Sequence, residues 1–248
     1  MRLILTLLAF IGSSLLGAES PSFRNQVQPI LAKAGCSTGA CHGAAAGQGG
    51  FKLSLLGYDN IGDHLAITHA ANGRRVVYEE PTRSLFLLKA TKTLPHKGGE
   101  KVKVGSQEFQ ILADWIAAGA PGPHESDARV QGIEITPRHV TLKQGAQQSL
   151  KVMATFSDGR IEDVTRWCKY TAGNTSVATI DENGLVKVSG QGEGTITAWF
   201  LSRLSIATIT VPFEQKVNTA AFASFQPRNF IDERVIEKLR ELNVPPSP

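Results

Sequence analysis

The chain has 248 residues, with 26 basic against 22 acidic and a formal charge of +4. An excess that small, with no run of five like charges, argues against a nucleic-acid surface. A hydrophobic share of 42% and a charged share of 19% are those of an ordinary globular chain of one or two domains plus tails.

Residues 1–18 read as a signal peptide. Arg2 gives a positive start, Leu3 to Leu16 is mostly apolar, and Gly17-Ala18 offers small residues before Glu19. The apolar part is too short to span a bilayer and no second such segment follows. The expectation is export to the periplasm, the cell surface or the medium, with no membrane span after cleavage.

A helix is predicted over 21–35, capped by Ser20 or Ser22, with Phe23, Val27, Ile30 and Leu31 on one face and Gly35 as its stop. It delivers Cys36-Ser37-Thr38-Gly39-Ala40-Cys41-His42. Two nearby cysteines with a histidine directly after the second suit covalent haem attachment, in which each thiol adds across a haem vinyl group and the imidazole lies under the iron. The usual spacing has two residues between the cysteines and this chain has four. In an exported chain a small-loop disulfide is the competing reading. Cys168, far away in sequence, reads as a buried thiol behaving as a small hydrophobe.

Residues 43–50 are glycine- and alanine-rich, without the Lys-Ser/Thr of a phosphate loop. Tyr58-Asp59-Asn60 reads as a turn and 61–71 as a short helix carrying His64 and His69. Arg74-Arg75 is either a solvated pair or an anion clamp. Residues 84–89 form an apolar turn, and Pro95 with Gly98-Gly99 shapes a loop around His96. A second helix is predicted over 106–118, capped by Ser106, with Phe109, Leu112, Trp115 and Ile116 sharing a face.

From 128 onward the period changes to two. Strands are predicted over 130–137, 150–156, 177–180, 185–188, 195–200 and 204–211, separated by turns at Ser157-Asp158-Gly159 and Asp181-Glu182-Asn183-Gly184. About seven short strands indicate an immunoglobulin-like sandwich, with Trp167 expected in its core. Asp158, Asp163, Asp181 and Asn183 fit turn chemistry better than calcium ligation. Residues 213–228 read as a linker and 229–242 as a helix bearing Phe230, Val235, Leu239 and Leu242, with nothing left in the chain to pack against.

Together the segments resemble known modules. Val27-Gln28-Pro29-Ile30-Leu31, Gly35-Cys36 through Cys41-His42-Gly43, Gly50-Phe51-Lys52-Leu53-Ser54, Gly57-Tyr58-Asp59, Gly73-Arg74-Arg75, Pro95-His96-Lys97-Gly98-Gly99 and Trp115 through Pro121 resemble the cytochrome c-like module of large secreted planctomycete proteins. Phe156-Ser157-Asp158-Gly159, Asp163-Val164-Thr165 and Val177-Ala178-Thr179-Ile180 followed by Gly184 are similar to the bacterial group 2 immunoglobulin-like domain.

The resemblance implies a multidomain chain: signal peptide 1–18, an all-α cytochrome c-like haem domain 19–128, an all-β immunoglobulin-like sandwich 129–212, and a linker with the first helix of a truncated following domain, 213–248. It implies one covalent haem c held by Cys36 and Cys41, with His42 and His96 as iron ligands. A methionine ligand is set aside because the chain has only Met1 and Met153; His64, His69 and His124 are the other candidates for the sixth position. The expected function is electron transfer or redox sensing with a redox protein as partner, and no catalysis of its own. The alternatives are a haem-free cell-surface interaction protein with a Cys36–Cys41 disulfide, contacting polysaccharide or protein, and an accessory part of a larger polymer-degrading enzyme.

Overall fold

A computed structural model describes residues 20–218 and 220–247; the signal peptide expected over 1–18 lies outside them. The first helix forms with a change of pitch. Residues Phe23–Val27 make a π turn, and α1 follows over Gln28–Lys33. Pro29 explains the break, because it has no N–H to give the preceding turn and its ring crowds that turn. Ser22 caps the start, its Oγ accepting from the Asn25 N–H at 3.2 Å. The expected face is the buried one: Phe23, Val27, Ile30 and Leu31 are each 2% exposed or less.

Three more helices follow: α2 (Asn60–Thr68), α3 (Leu85–Ala90) and α4 (Gln107–Ala117). Ser106 caps α4 by accepting from the Phe109 N–H at 3.1 Å. Gly119, at φ +87°, lets the chain reverse after α4 so that the Ala120 N–H reaches the Trp115 carbonyl. Leu112, Trp115 and Ile116 are fully buried against Phe23, Leu31, Leu53, Ile67 and Leu87. Burial of side chains this size is worth roughly 1.5–3 kcal/mol each. The helices are short and joined by long turns, so this region is α only in the sense that its described residues hold no strand.

The second core belongs to ten strands, where the sequence suggests about seven. In the first sheet β1 (Val130–Thr136) pairs antiparallel with β4 (Lys151–Phe156), which pairs with β5 (Ile161–Asp163). In the second, β2 (His139–Thr141) lies parallel to β10 (Arg203–Val211), followed by β9 (Gly192–Phe200) and β6 (Lys169–Ala172). In the third, β3 (Gln147–Ser149), β8 (Leu185–Val188) and β7 (Ala178–Ile180) run in that order. The extra strands are mostly three or four residues long, too short for alternation to reveal. Alternation does mark the long ones: Val152, Ala154 and Phe156 of β4 and Ile196, Ala198 and Phe200 of β9 all face the core.

Trp167 corrects one expectation. It sits in a short 3-10 turn, half-buried, and packs against both the helical core and the sandwich core. The buried residue there is its neighbour Cys168, 1% exposed, and burial pushes that thiol up to about 12. Beside Trp167, Arg166 reaches both carboxylate oxygens of Glu108 at 3.2 Å, and Lys33 approaches the same carboxylate at 3.7 Å. The helical region and the sandwich therefore meet at a seam built by Trp167 and Glu108.

The last helices are a single turn α5 (Ala220–Ala223) and α6 (Phe230–Glu241). Contrary to the expectation that it has nothing to pack against, α6 folds back on the sandwich. Ile236 is 5% exposed, Lys238 meets Glu193 at 2.6 Å, and the Phe213 N–H donates to the Leu242 carbonyl. Phe230 and Val235, expected on the apolar face, stay exposed.

Candidate functional site

The cysteine loop is built from the end of α1. Gly35 takes φ +74°, which an L side chain resists, and the Cys36 N–H then reaches back to the Leu31 carbonyl. The four intervening residues are absorbed by a loop that closes on itself. The His42 N–H donates to the Cys36 carbonyl at 2.9 Å, and the Cys41 and Gly43 N–H groups donate to the Thr38 carbonyl. Gly39 and Ala40 point outward, exposed, while Ser37 is buried. Gly43 is required here, because a Cβ would lie 2.2 Å from the Ser37 carbonyl oxygen. Cys36 and Cys41 are both half-buried and are not bonded to one another in this structure. Burial pushes the Cys36 thiol up to about 11, against the opposing charge of Lys101.

His42 and His96 are brought together from segments far apart in sequence. Their ring centres are 6.2 Å apart and their planes differ by 8°. Each ring is fixed by the same device: His42 Nδ1 lies 3.0 Å from the Phe51 carbonyl oxygen and His96 Nδ1 lies 2.8 Å from that of Gly99. A carbonyl only accepts, so each Nδ1 carries the proton and each Nε2 keeps its lone pair. That is the tautomer a metal-binding imidazole needs, with the outer carbonyl holding its orientation. Burial lowers the His42 pKa, with His96 and Arg75 nearby adding to it, while hydrogen bonds to the Phe51 and Gln48 backbone work the other way.

The other histidines are occupied elsewhere. His64 gives its Nε2 to the Ala120 carbonyl at 2.9 Å and packs edge-on to Phe23 and Trp115. His69 Nδ1 shares a hydrogen bond with Thr68 Oγ1, and His124 Nδ1 with Ser126 Oγ. Arg75 is neither solvated nor free to clamp an anion. It is 5% exposed and its fork is spent on the carbonyls of Ala66, Ala70 and Gly50, whereas Arg74 is exposed. Asp181 closes its turn, Oδ1 accepting from the Asn183 and Leu185 N–H groups.

The residues present fit a haem. Two imidazoles that face one metal, with bonds of about 2 Å each plus the distance from nitrogen to ring centre on both sides, are about 6 Å apart, and the 6.2 Å between these ring centres is compatible with that spacing. Among the described residues no three His, Cys, Asp or Glu side chains gather into a metal site. The sequence reading missed the supporting groups: the Phe51 and Gly99 carbonyls, the Arg75 fork, and Gly98, where a Cβ would lie 2.9 Å from His96 Cε1. Only the glycines flanking His96 signalled any of these.

Residues 129–200 match the family described as bacterial Ig-like domain (group 2). The chain is 31% identical over 84 residues to ice-binding protein 1 of Shewanella frigidimarina, covering 34% of this chain and 9% of that protein. It is 36% identical over 101 residues to the uncharacterized protein YjdB of Bacillus subtilis, covering 40% of this chain and 84% of that one. Among solved structures, S-layer protein SbsC domains 4 and 5 align at 18% identity and a TM-score of 0.31, over 34% of this chain and 53% of that one. An intimin mutant of EHEC O157:H7 aligns at 20% identity and 0.27, over 44% and 68%. No helix among the described residues is long and apolar enough to cross a membrane. With its sandwich matched by the family and most of YjdB spanned at that identity, the chain belongs to the bacterial group 2 immunoglobulin-like family.

Proposed function

We propose that this is an exported protein carrying a one-haem redox module ahead of its immunoglobulin-like domain. Cys36 and Cys41 tether the haem, and His42 and His96 bind its iron through Nε2. The observation that carries the reading is the parallel imidazole pair, each ring locked by a backbone carbonyl in the tautomer that frees Nε2. A bound haem c supplies one-electron chemistry, with a potential lower than methionine ligation would give. The protein's part is to hold both nitrogens in place before the group arrives and to fill the surroundings with Phe51 and the buried side chains of α1 and α4. Electron transfer to a redox protein, or redox sensing, is the resulting role. The sandwich serves as a spacer or as the contact with surface polysaccharide or protein.

The test is direct. The mature chain is produced with a cytochrome c maturation system, denatured, and its visible spectrum recorded; haem retained after denaturation supports the reading and its absence refutes it. Replacing His96 by alanine is expected to convert a low-spin spectrum to high-spin.

The family match favours a second reading, a haem-free surface protein with a Cys36–Cys41 disulfide, whose sandwich makes the contacts. It predicts no retained haem and unchanged binding to the cell envelope when both His42 and His96 are replaced.

A further inference from the structure

Arg75 is a buried cation without a carboxylate partner among the described residues, and burial and the like charge of Arg74 both work against its charged form. A buried charge in that state is costly, and an apolar residue would fill the same space more cheaply. What its fork does is specific. Nη1 donates to the Ala66 and Ala70 carbonyls, at 3.1 and 2.8 Å, where α2 ends; Nη2 donates to the Gly50 carbonyl at 3.0 Å. The guanidinium also lies 4.7 Å from the centre of the Phe51 ring. Phe51 is the residue that positions His42: its carbonyl takes the Nδ1 proton, and its ring lies 4.6 Å from the imidazole. Arg75, Phe51 and His42 thus form a contiguous series anchored to α2, the two rings tilted by 50°.

We infer that Arg75 is a positioning residue for His42: it pins the Gly50-Phe51 backbone that orients the imidazole, and its buried charge raises the reduction potential of iron bound there. The second half rests on the haem reading; the first stands on the haem-free chain. A unit charge at roughly 10 Å, in the effective dielectric of a protein, shifts a one-electron equilibrium by about tenfold or ~59 mV. Lysine keeps the charge and loses the three-way fork; methionine loses both.

The experiment compares the full chain with Arg75→Met and Arg75→Lys. In the haem-free chain, exchange of the His42 Nδ1 proton is followed by nitrogen–proton NMR; in the haem-loaded chain, the potential is titrated. Both variants are expected to speed Nδ1 exchange, and only Arg75→Met to lower the potential by about tenfold in the equilibrium. Wild-type exchange rates in both variants overturn the positioning half. A wild-type potential in Arg75→Met overturns the electrostatic half. If Arg75→Met does not fold, the lysine variant decides: its potential must match wild type while its Nδ1 exchange is faster. A wild-type chain that retains no haem refutes the haem reading, and the exchange measurement still decides the positioning.

Discussion

Asp63 offers the sharpest test of how the cysteine loop is supported. It is 2% exposed. Its Oδ2 accepts from Gln28 Nε2 at 2.5 Å and from Ser54 Oγ at 2.7 Å, and its Oδ1 from the Ser54 N–H at 2.5 Å. One carboxylate therefore joins α1, the 54–57 turn and α2. That turn reaches the cysteine loop through the Leu56 N–H, which donates to the Ser37 carbonyl. Gln28 has no room to find another partner, since it is fully buried and lies against Gly57. Replacing Asp63 by alanine strands one buried donor at about 1–3 kcal/mol and two half-buried ones at less, so the loss is about 2–4 kcal/mol. Burial holds the Asp63 carboxyl above its ordinary value, against the hydrogen bonds from Ser54 and Gln28. A raised folded pKa gives a contribution that is complete below the unfolded value and is lost as pH rises through the folded one. The cost of Asp63→Ala is therefore larger in acid, below the ordinary aspartate value, than at neutral pH. Urea unfolding of the full chain, followed by the helical circular dichroism signal, measures both. A loss below about 1 kcal/mol, or one that shrinks as the pH falls, would refute the reasoning. Replacing Gln28 and Asp63 together by leucine is expected to cost less than Asp63→Ala alone, because the buried Gln28 donor goes with its acceptor and only the two half-buried Ser54 donors lose theirs.

Four further outcomes are expected. Gly98→Ala has an allowed backbone, so stability changes by no more than about 1 kcal/mol, but its Cβ crowds His96 Cε1 and Nε2; a haem-loaded variant should show a high-spin fraction in its visible spectrum. Gly43→Ala brings a Cβ against the Ser37 carbonyl and should cost about 1–3 kcal/mol in thermal unfolding. In the haem-free native chain at mildly alkaline pH a thiol reagent should label Cys36 and Cys168 slowly, the first held at about 11 and the second 1% exposed, and both quickly after denaturation. Glu108→Gln loosens the seam by about 0.5–1 kcal/mol at neutral pH. Against the upward push of burial, its own backbone N–H, Arg166 and Lys33 hold this carboxyl below its ordinary value. Its contribution is therefore lost as pH falls through the folded value, and the stability difference from wild type should vanish in acid.

The sequence carried the elements whose periodicity is long enough to read. The α4 face and the alternation of β4 and β9 follow from side-chain period alone, and both are buried as that period requires. The face of the first helix is legible in Phe23, Val27, Ile30 and Leu31, but the π turn is not, because it follows from the hydrogen bond that Pro29 cannot make. Trp167 shows a different limit. A large aromatic next to a strand pattern suggests a core position, yet the core site at this place went to Cys168. Nothing local distinguishes the two neighbours, because the choice depends on α1 and α4 covering the tryptophan from the other region. The docking of α6 has the same origin. Its partners, Glu193 and the 213–215 backbone, lie outside any window in which a pattern could be recognised.

The histidines separate these kinds of information cleanly. Composition offers His64, His69 and His96 as equals. Only His96 has its orienting acceptor within its own loop, where Gly99 at φ +76° turns its carbonyl back to Nδ1; Pro95 and Gly98-Gly99 are visible in the sequence and make that loop. His64 is decided by the Ala120 carbonyl, 56 residues away, which holds its Nε2 and makes it a clasp for the end of α4. His42 lies between these cases. Its place after Cys41 is legible, but its tautomer depends on Phe51, and Phe51 depends on Arg75, a residue whose charge suggested solvent or an anion. A buried arginine satisfied by three carbonyls leaves no trace in local sequence. The imidazoles proposed as ligands can therefore be found by motif, whereas the groups that keep them pointed require the folded chain.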